Sequence, residues 1–236
     1  MRFYEPDIKS SNLSKIYHLS KENAHHFSRV LRGRVGQVIH LFNGRQGCFS
    51  AEVIKITREE TSVLIQEYSP ENHTPRVSLN LVFGITDKQK MSLIVEKAVE
   101  LGVSEIFPVI TERTQTQYEK HFDDLTMQRY LKIMISAAAQ SGINQLAKIY
   151  SPTTLEGLPW QDWQEDQQKC YVCHPHGADY EFNTSDRKRV IFIGPEGGWS
   201  AEELRWLDVK ACKKIQLARS VLRMETAVIA ALARAQ

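Results

Sequence analysis

The chain has 236 residues, of which 42% are apolar and 25% charged, and its formal net charge at pH 7 is +2. These proportions are typical of a globular protein with one large domain or two small ones. The small net charge argues against a protein that coats nucleic acid by bulk electrostatics. Any contact with nucleic acid therefore has to come from a local patch.

The expected location is the cytoplasm. The first residues, Met1 to Asp7, contain no apolar stretch of the kind found in a secretory signal. The longest apolar run near the end, Ala227 to Ala233, is too short to span a bilayer. Four cysteines without an export signal indicate free thiols in a reducing compartment.

The first segment, up to about residue 71, is predicted to be a small β-rich unit. Ser20 can cap a short helix over 21–31. The hairpin signal Asn43-Gly44 joins a strand over 37–42 to its partner over 48–56. A further strand is predicted over 61–68, and short strands with tight turns favour a small barrel. The proline-containing stretch 69–75 is the predicted linker.

From Arg76 the pattern changes to alternating strands and helices, which predicts a parallel sheet covered on both faces. An amphipathic helix over 88–101 is followed by Gly102 as its C-terminal cap. A second long helix begins at 123 or 124 and ends near 140, before Gly142. Further strands are predicted at 78–84, 105–110, 169–173, 189–193 and 214–217, and further helices at 200–207 and 224–235.

A glycine-rich corner follows the predicted strand that ends at Ile193. Three glycines and a proline lie within 194–198, and the tetrad Ser200 to Glu203 is a capping box that starts a helix. A strand, a glycine-rich bend and a capped helix form the usual ligand corner of α/β folds. The bend fits neither phosphate-binding fingerprint, and an ordinary tight connection is the alternative interpretation.

A second candidate segment, 217–227, follows a strand and opens the last helix. Glu225 in the first helical turn is explained by the helix dipole alone. Arg223 is not explained in this way, because a cation at a helix start opposes the dipole. It is therefore a candidate functional residue.

The densest basic cluster consists of Arg29, Arg32 and Arg34, with Arg45 nearby. It is a candidate RNA-binding patch, and a solvated basic face is the alternative. If the first three arginines each neutralise one phosphate, the salt slope of RNA binding would be only about −2. Such weak anchoring favours a preformed RNA target that offers many contacts.

The pentapeptide from Cys170 to His174 reads C-x-x-C-H, the attachment pattern of c-type haem, which would make the chain an electron carrier. Residues three apart on a strand face opposite sides, so this geometry disfavours both haem and zinc. A Soret band in the visible spectrum would support the haem alternative.

Five stretches of the chain, in order, resemble the RsmE family of SPOUT-class methyltransferases, which modify uracil at N3 in bacterial 16S rRNA. They are HHFSRVLR at 25–32, EKAVELGV at 96–103, AAQSG at 138–142, GPEGG at 194–198 and VLRMETA at 221–227. The resemblance implies an α/β, SPOUT-type parallel sheet with a C-terminal trefoil knot over 76–236. It also implies a preceding PUA-like RNA-binding β-barrel over 1–73.

The activity implied by the resemblance is methylation of N3 of a specific uridine, position 1498 in the usual numbering, in 16S rRNA of the small ribosomal subunit. The implied cofactor is S-adenosyl-L-methionine (SAM), and no metal is needed. The implied assembly is a homodimer in which the partner chain completes each site. By similarity the cofactor-binding residues are Cys173, His174, Pro175, Gly194, Glu196, Gly198, Leu217, Ala218 and Leu222, and the RNA-binding residues are Arg2, Arg29, Arg32 and Arg34.

The methyl group of SAM is already activated, so the protein has to align it with N3 and exclude water. The N3 proton must leave, and Glu196 or Glu225 could accept it. Arg223 could stabilise the negative charge that spreads onto the uracil oxygens. These three residues are the expected catalytic groups.

Two positions depart from the family pattern. Ala218 stands where glycine is usual, and if that position needs a positive φ, alanine would cost about 1 kcal/mol or more. Ile143-Asn144-Gln145 follow the third stretch, where the family tends to carry an arginine. A non-catalytic RNA-binding protein that kept the fold is therefore a rival function, and it would not bind SAM.

Overall fold

The computed structural model describes residues 1–45, 47–58, 60–71, 73–119, 122–179, 182–183 and 185–236. The chain forms two compact units. Unit 1 comprises Met1–His73 and Ala138–Leu146, and unit 2 comprises Thr74–Ala137 and Ala147–Gln236.

Unit 1 is built on a mostly antiparallel sheet. Its elements are β1 (Arg2–Tyr4), β2 (Ile16–His18), α1 (Lys21–His25), a π-helical turn (His26–Val30), β3 (Val38–Phe42), β4 (Cys48–Ile56) and β5 (Thr61–Ser69). The strand order is β1-β3-β4-β5-β2, and only the pairing of β1 with β3 is parallel. Alternate residues of β3, β4 and β5 point into one apolar core that also takes Phe3 and Phe27.

The predicted helix and hairpin of unit 1 are confirmed, with two differences. The helix predicted over 21–31 is α-helical only over Lys21–His25 and continues as the π-helical turn His26–Val30. Ser20 caps α1, since its Oγ accepts a hydrogen bond from the Asn23 N–H at 3.4 Å. The pairing of β3 with β4 ends at Leu41 and Phe49, so the connecting loop is longer than the two-residue Asn43-Gly44 turn. Gly44 instead pairs with the segment 138–146, where its carbonyl accepts from the Leu146 N–H at 2.9 Å. The short strands β1 and β2 were not predicted, because three residues are too few to show alternation.

Unit 2 has a parallel α/β architecture, as predicted. Its strands are β6 (Ser78–Gly84), β7 (Glu105–Val109), β8 (Lys148–Ile149), β9 (Lys169–Asp179), β10 (Lys188–Ile193) and β11 (Lys213–Gln216). Its helices are α2 (Lys88–Glu100), α3 (Thr116–Glu119), α4 (Asp124–Ser141), whose last residues belong to unit 1, α5 (Trp160–Glu165), α6 (Ala201–Val209) and α7 (Met224–Arg234). The strand order is β11-β9-β10-β6-β7-β8, and every pairing is parallel.

The centre of the unit 2 sheet explains the apolar runs in the sequence. Val190, Ile191 and Phe192 of β10 are fully buried, as expected for a strand with both faces covered. The helix α5 was not predicted, because a six-residue helix shows little periodicity. Its Trp160 stacks on Phe192, with ring centroids 5.5 Å apart, and so covers the middle of the sheet.

Candidate functional site

A cavity of about 620 Å³ lies at the edge of the unit 2 sheet where β10 ends at Ile193 and β11 ends at Gln216. This volume is in the range of small-molecule sites, and α/β proteins bind ligands at this edge. The structure brings together every residue expected to bind the cofactor or catalyse the reaction. The cavity is lined by Cys173, His174, Pro175, Gly194, Glu196, Gly198, Leu217, Ala218, Leu222, Arg223 and Glu225.

The first wall is the glycine-rich bend after β10. A Cβ on Gly194 would lie 3.2 Å from the indole ring of Trp199, and Gly198 has a φ of +70°, a conformation that favours glycine. Ser200 then caps α6, since its Oγ accepts from the Glu203 N–H at 3.2 Å. In return, the Glu203 carboxylate accepts from the Ser200 N–H at 2.7 Å, so the predicted capping box is confirmed.

The second wall is a bulge in β9. Val172 pairs with Lys214, but the next pair joins Ala178 to Ile215, so the segment 173–177 leaves the ladder between β9 and β11. The pairing of β9 with β10 ends at Cys173, where the sequence predicts the end of the strand. The strand β9 itself continues through the bulge to Asp179. Gly177 allows this return, because a Cβ there would lie 2.4 Å from the Ile215 carbonyl carbon.

The third wall is the connection between β11 and α7. Arg223 is the N-cap residue of α7, with an extended backbone and an exposed side chain that makes no capping hydrogen bond. Ala218 is not among the residues with positive φ, so the condition under which alanine would be strained is not met. The departure from glycine at this position therefore carries no backbone cost.

Two cations at the cavity were not predicted. Lys90 in the first turn of α2 donates a hydrogen bond to Oε1 of Glu196, and its Nζ lies 3.1 Å from Asp87 Oδ2. Arg113, which follows β7, donates to the carbonyl oxygen of Gly197 at 2.8 Å. Both residues reach the bend because β6 and β7 are the next strands after β10 in the sheet. No local sequence pattern predicts this strand order.

Burial sets the protonation of two groups on the β9 bulge. Burial raises the pKa of the Cys173 thiol to about 12, so this group stays protonated and is not a nucleophile at neutral pH. Burial, together with His176 and Lys214, lowers the pKa of His174 below its usual value of 6.5. The Nδ1 atom of His174 accepts from the His176 backbone N–H at 3.2 Å, which places the proton of the neutral ring on Nε2.

The two cysteines of the C-x-x-C-H pattern have different surroundings. Cys170 packs against the apolar core of the sheet and forms a hydrogen bond with Cys212, which raises the pKa of the Cys212 thiol. Cys173 instead lines the cavity. Within the described ranges, no group of three or more His, Cys, Asp and Glu side chains is arranged to hold a metal ion.

The arginines expected to bind RNA fall into two groups in unit 1. The side chains of Arg29, Arg32 and Arg34 are exposed, and none of them forms an ion pair with any described residue. Arg2 is half-buried, and its Nη2 donates to the Ile143 carbonyl at 3.3 Å and to Asn144 Oδ1. Its guanidinium also lies 5.2 Å from the ring centroid of Phe42. Arg2 is therefore occupied within unit 1.

Known proteins are similar to this chain over nearly its whole length. Residues 72–236 match a family described as an RNA methyltransferase domain, and residues 19–66 match an RNA methyltransferase PUA domain. The ribosomal RNA small subunit methyltransferase E of Rickettsia conorii is 30% identical over 230 residues, which cover 94% of this chain and 89% of that protein. The chain belongs to the ribosomal RNA small subunit methyltransferase E family.

Solved structures of similar proteins have the same fold. A protein from Legionella pneumophila, solved in complex with the bound cofactor SAM, is 30% identical with a TM-score of 0.85. The match covers 98% of this chain and 95% of that protein. The methyltransferase E of Neisseria gonorrhoeae, bound to SAM, is 26% identical with a TM-score of 0.85 and covers 98% and 94%. The family resemblance noted in the sequence is thus confirmed. No helix in the described ranges is long and apolar enough to cross a membrane.

Proposed function

We propose that this protein transfers the methyl group of SAM to N3 of a specific uridine in 16S rRNA within the small ribosomal subunit. One observation carries the proposal: the residues that family resemblance assigns to the cofactor and to catalysis line one cavity. These residues come from three separate segments, 173–175, 194–198 and 217–225. If the bend after β10 were only an ordinary tight connection, the other two segments would not need to line the same cavity.

The cavity suits SAM in its shape and in its chemistry. Leu217 and Leu222 offer apolar surface to a nucleoside, while the bend 194–198 offers backbone groups close to the cavity because glycines leave them uncovered. When bound, SAM supplies a methyl group on a sulfonium centre. The residues around it have to exclude water and orient the uracil.

The catalytic groups in this proposal are Arg223, Glu196 and Glu225. Arg223 is exposed at the cavity without a described ion-pair partner, so its guanidinium is available to the uracil oxygens as they gain negative charge. A carboxylate on the cavity wall takes the proton that leaves N3. No covalent intermediate is needed.

We further propose the organisation of the chain around this reaction. Residues 1–73 serve as a PUA-like barrel that binds RNA through Arg29, Arg32 and Arg34. Residues 76–236 form the methyltransferase domain, apart from the segment 138–146, which belongs to unit 1. The trefoil knot, the homodimer and the cytoplasmic location are part of the proposal by similarity. Arg2 is better suited to joining β1 to the segment 143–144 than to contacting phosphate, because its Nη2 is already engaged.

The test uses SAM labelled in its methyl group and small ribosomal subunits that lack the modification. Free 16S rRNA is the parallel substrate, and the labelled base is identified after digestion. We expect label in 3-methyluridine from the subunits, and a much lower yield from free RNA. The Arg223→Ala variant should lose most of the turnover, and unchanged turnover would remove that residue from the mechanism.

The labelling experiment, together with a calorimetric measurement of SAM binding, also tests the rival function. A non-catalytic RNA-binding protein would leave all RNA unlabelled and would show no SAM binding in calorimetry. One ground for that rival, strain at Ala218, is absent because the backbone there is ordinary.

A further inference from the structure

The two carboxylates of the cavity differ in their surroundings. We propose that Glu225 accepts the N3 proton of the uracil, whereas Lys90 is a positioning residue that neutralises Glu196 and fixes it as part of the cavity wall. The inference rests on the proposed function. It assigns distinct tasks to two groups that the sequence leaves equivalent.

Glu196 is held by α2 and by Thr86, which lies two positions before that helix. Its Oε1 accepts from Lys90 Nζ and from Thr86 Oγ1, the latter at 3.4 Å. Lys90 also contacts Asp87, whose Oδ1 caps α2 by accepting from the Gln89 N–H at 3.0 Å. These contacts tie the bend after β10 to the start of α2.

These hydrogen bonds determine the charge of Lys90. The hydrogen bonds to Glu196 and Asp87 raise the pKa of Lys90, so its ammonium stays protonated across the neutral range. The side chains of Lys90 and Glu196 are 34% and 43% exposed, so the pair contributes little to the stability of the fold. Its effect is local: Oε1 of Glu196 is already occupied by Lys90 and Thr86.

Glu225 has no such partner. It lies half-buried in the first turn of α7 and lines the cavity, and no described residue forms an ion pair or a side-chain hydrogen bond with it. Its side chain lines the same cavity as that of Arg223, the group proposed to hold a uracil oxygen. N3 lies between the two carbonyl groups of uracil, so a base held by Arg223 in this cavity presents N3 to the cavity wall.

The other titratable groups that face the cavity are less suited to the task. Burial keeps the Cys173 thiol protonated, and Arg113 and Arg223 are permanent cations. Nδ1 of His174 already accepts the His176 N–H, so its free nitrogen carries a proton and can only donate. His176 also lines the cavity, with an exposed side chain whose ring centroid lies 5.6 Å from that of His174. Of the two carboxylates of the cavity, Glu225 is the one without a described partner.

The proposed step balances in protons and electrons. The proton on N3 moves to a carboxylate oxygen of Glu225, and the electron pair left on N3 forms the bond to the methyl carbon. The bond between that carbon and sulfur breaks, and its electron pair stays on sulfur. Glu225 then releases the proton to water.

The first test compares Glu225→Gln with Glu196→Gln in single-turnover methylation of small subunits at about pH 7.5. We expect E225Q to slow methyl transfer by about 10²- to 10⁴-fold, because it removes the proton acceptor. The E196Q variant should lose less than about tenfold in rate. Glu225→Asp, which keeps a carboxylate, is the matched control and should retain more of the rate than E225Q.

The second test is independent of turnover and measures SAM affinity by calorimetry. Lys90→Met leaves the Glu196 carboxylate without its ammonium, so we expect weaker binding than for E196Q. Because the two residues act as one unit, the double variant should bind within about twofold of E196Q alone, and Lys90→Arg should retain most of the affinity.

Several results overturn the inference while leaving the proposed function intact. These are an E196Q variant as slow as E225Q, an E225Q variant within threefold of wild type, or additive effects of K90M and E196Q on SAM affinity. A wild-type protein that forms no 3-methyluridine overturns the proposed function and the role of Glu225 with it.

Discussion

Gly84, the last residue of β6, lies so close to Pro195 that a Cβ on the glycine would be 2.7 Å from the proline nitrogen. The bend that forms one wall of the cavity therefore rests on a neighbouring strand that is more than a hundred positions away in the sequence. The contact is between backbones, which have no flexible side-chain end that could move aside.

Gly84→Ala is expected to push this bend out of place. Overpacking of this kind costs about 1–3 kcal/mol in the free energy of unfolding, and we expect SAM affinity to fall at least about tenfold as the wall shifts. Urea unfolding and calorimetry measure the two effects. Leu81→Val, a buried change in the same strand, is the control: it should cost about 1 kcal/mol and leave SAM affinity unchanged. Equal affinities for G84A and wild type would contradict the prediction.

Ala218→Gly is expected to bring no gain in cofactor binding. The backbone at Ala218 does not need a positive φ, so a glycine would only add conformational freedom to the unfolded chain. The free energy of unfolding should fall by about 0.4–1 kcal/mol, while SAM affinity should stay within about twofold. A large gain in affinity in calorimetry would show that the methyl group of Ala218 obstructs the cavity.

The arginines of unit 1 should separate into two classes when RNA binding is measured at several salt concentrations. Replacing Arg29, Arg32 and Arg34 together by alanine should reduce the magnitude of the salt slope on the small subunit by about 2. Arg2→Ala should leave the slope unchanged and lower the unfolding temperature, because it removes the hydrogen bonds to Ile143 and Asn144. A slope that changes with Arg2 and not with the other three would reverse this assignment.

Acid should weaken unit 2 partly through His174. The pKa of His174 is lowered in the folded protein, so below about pH 6.5 the unfolded chain binds more protons than the folded one. Stability at this site is therefore present above pH 6.5 and is lost as the pH falls toward the lower folded value. His174→Gln should show a smaller drop in unfolding temperature between pH 7.5 and pH 5.5 than wild type. His176→Gln removes one charge that lowers the pKa of His174, so its drop should lie between those of H174Q and wild type.

Local patterns sufficed to predict most long elements of this fold. The buried face of α2, formed by Met91, Ile94, Val95, Ala98 and Val99, shows helical spacing in the sequence. The corner after β10 was predictable because its strand, its glycines and its capping box are consecutive. The resemblance of the chain to a known family then indicated the other segments that line the cavity.

The features that the sequence did not reveal all depend on contacts between distant segments. In the sequence, Lys90 is one of the polar residues of an amphipathic helix. It reaches Glu196 only because β6 lies beside β10 in the sheet. The bulge of β9 is set by its pairing with β11, and Arg2 meets Asn144 across more than a hundred residues. Sequence spacing carries no information on such neighbours when the strand order is unknown.

The segment 138–146 also constrains the order in which the protein can be made. It belongs to unit 1, where Asn144 Nδ2 donates to the Glu71 carbonyl at 2.7 Å and the Leu146 N–H donates to Gly44. A ribosome synthesises this segment only after the first part of unit 2, Thr74–Ala137, so the amino-terminal unit is not complete until residue 146 has been made. A protein cut after residue 73 would be an unfinished piece, and experiments that isolate the amino-terminal part need this segment restored by a graft or a second peptide.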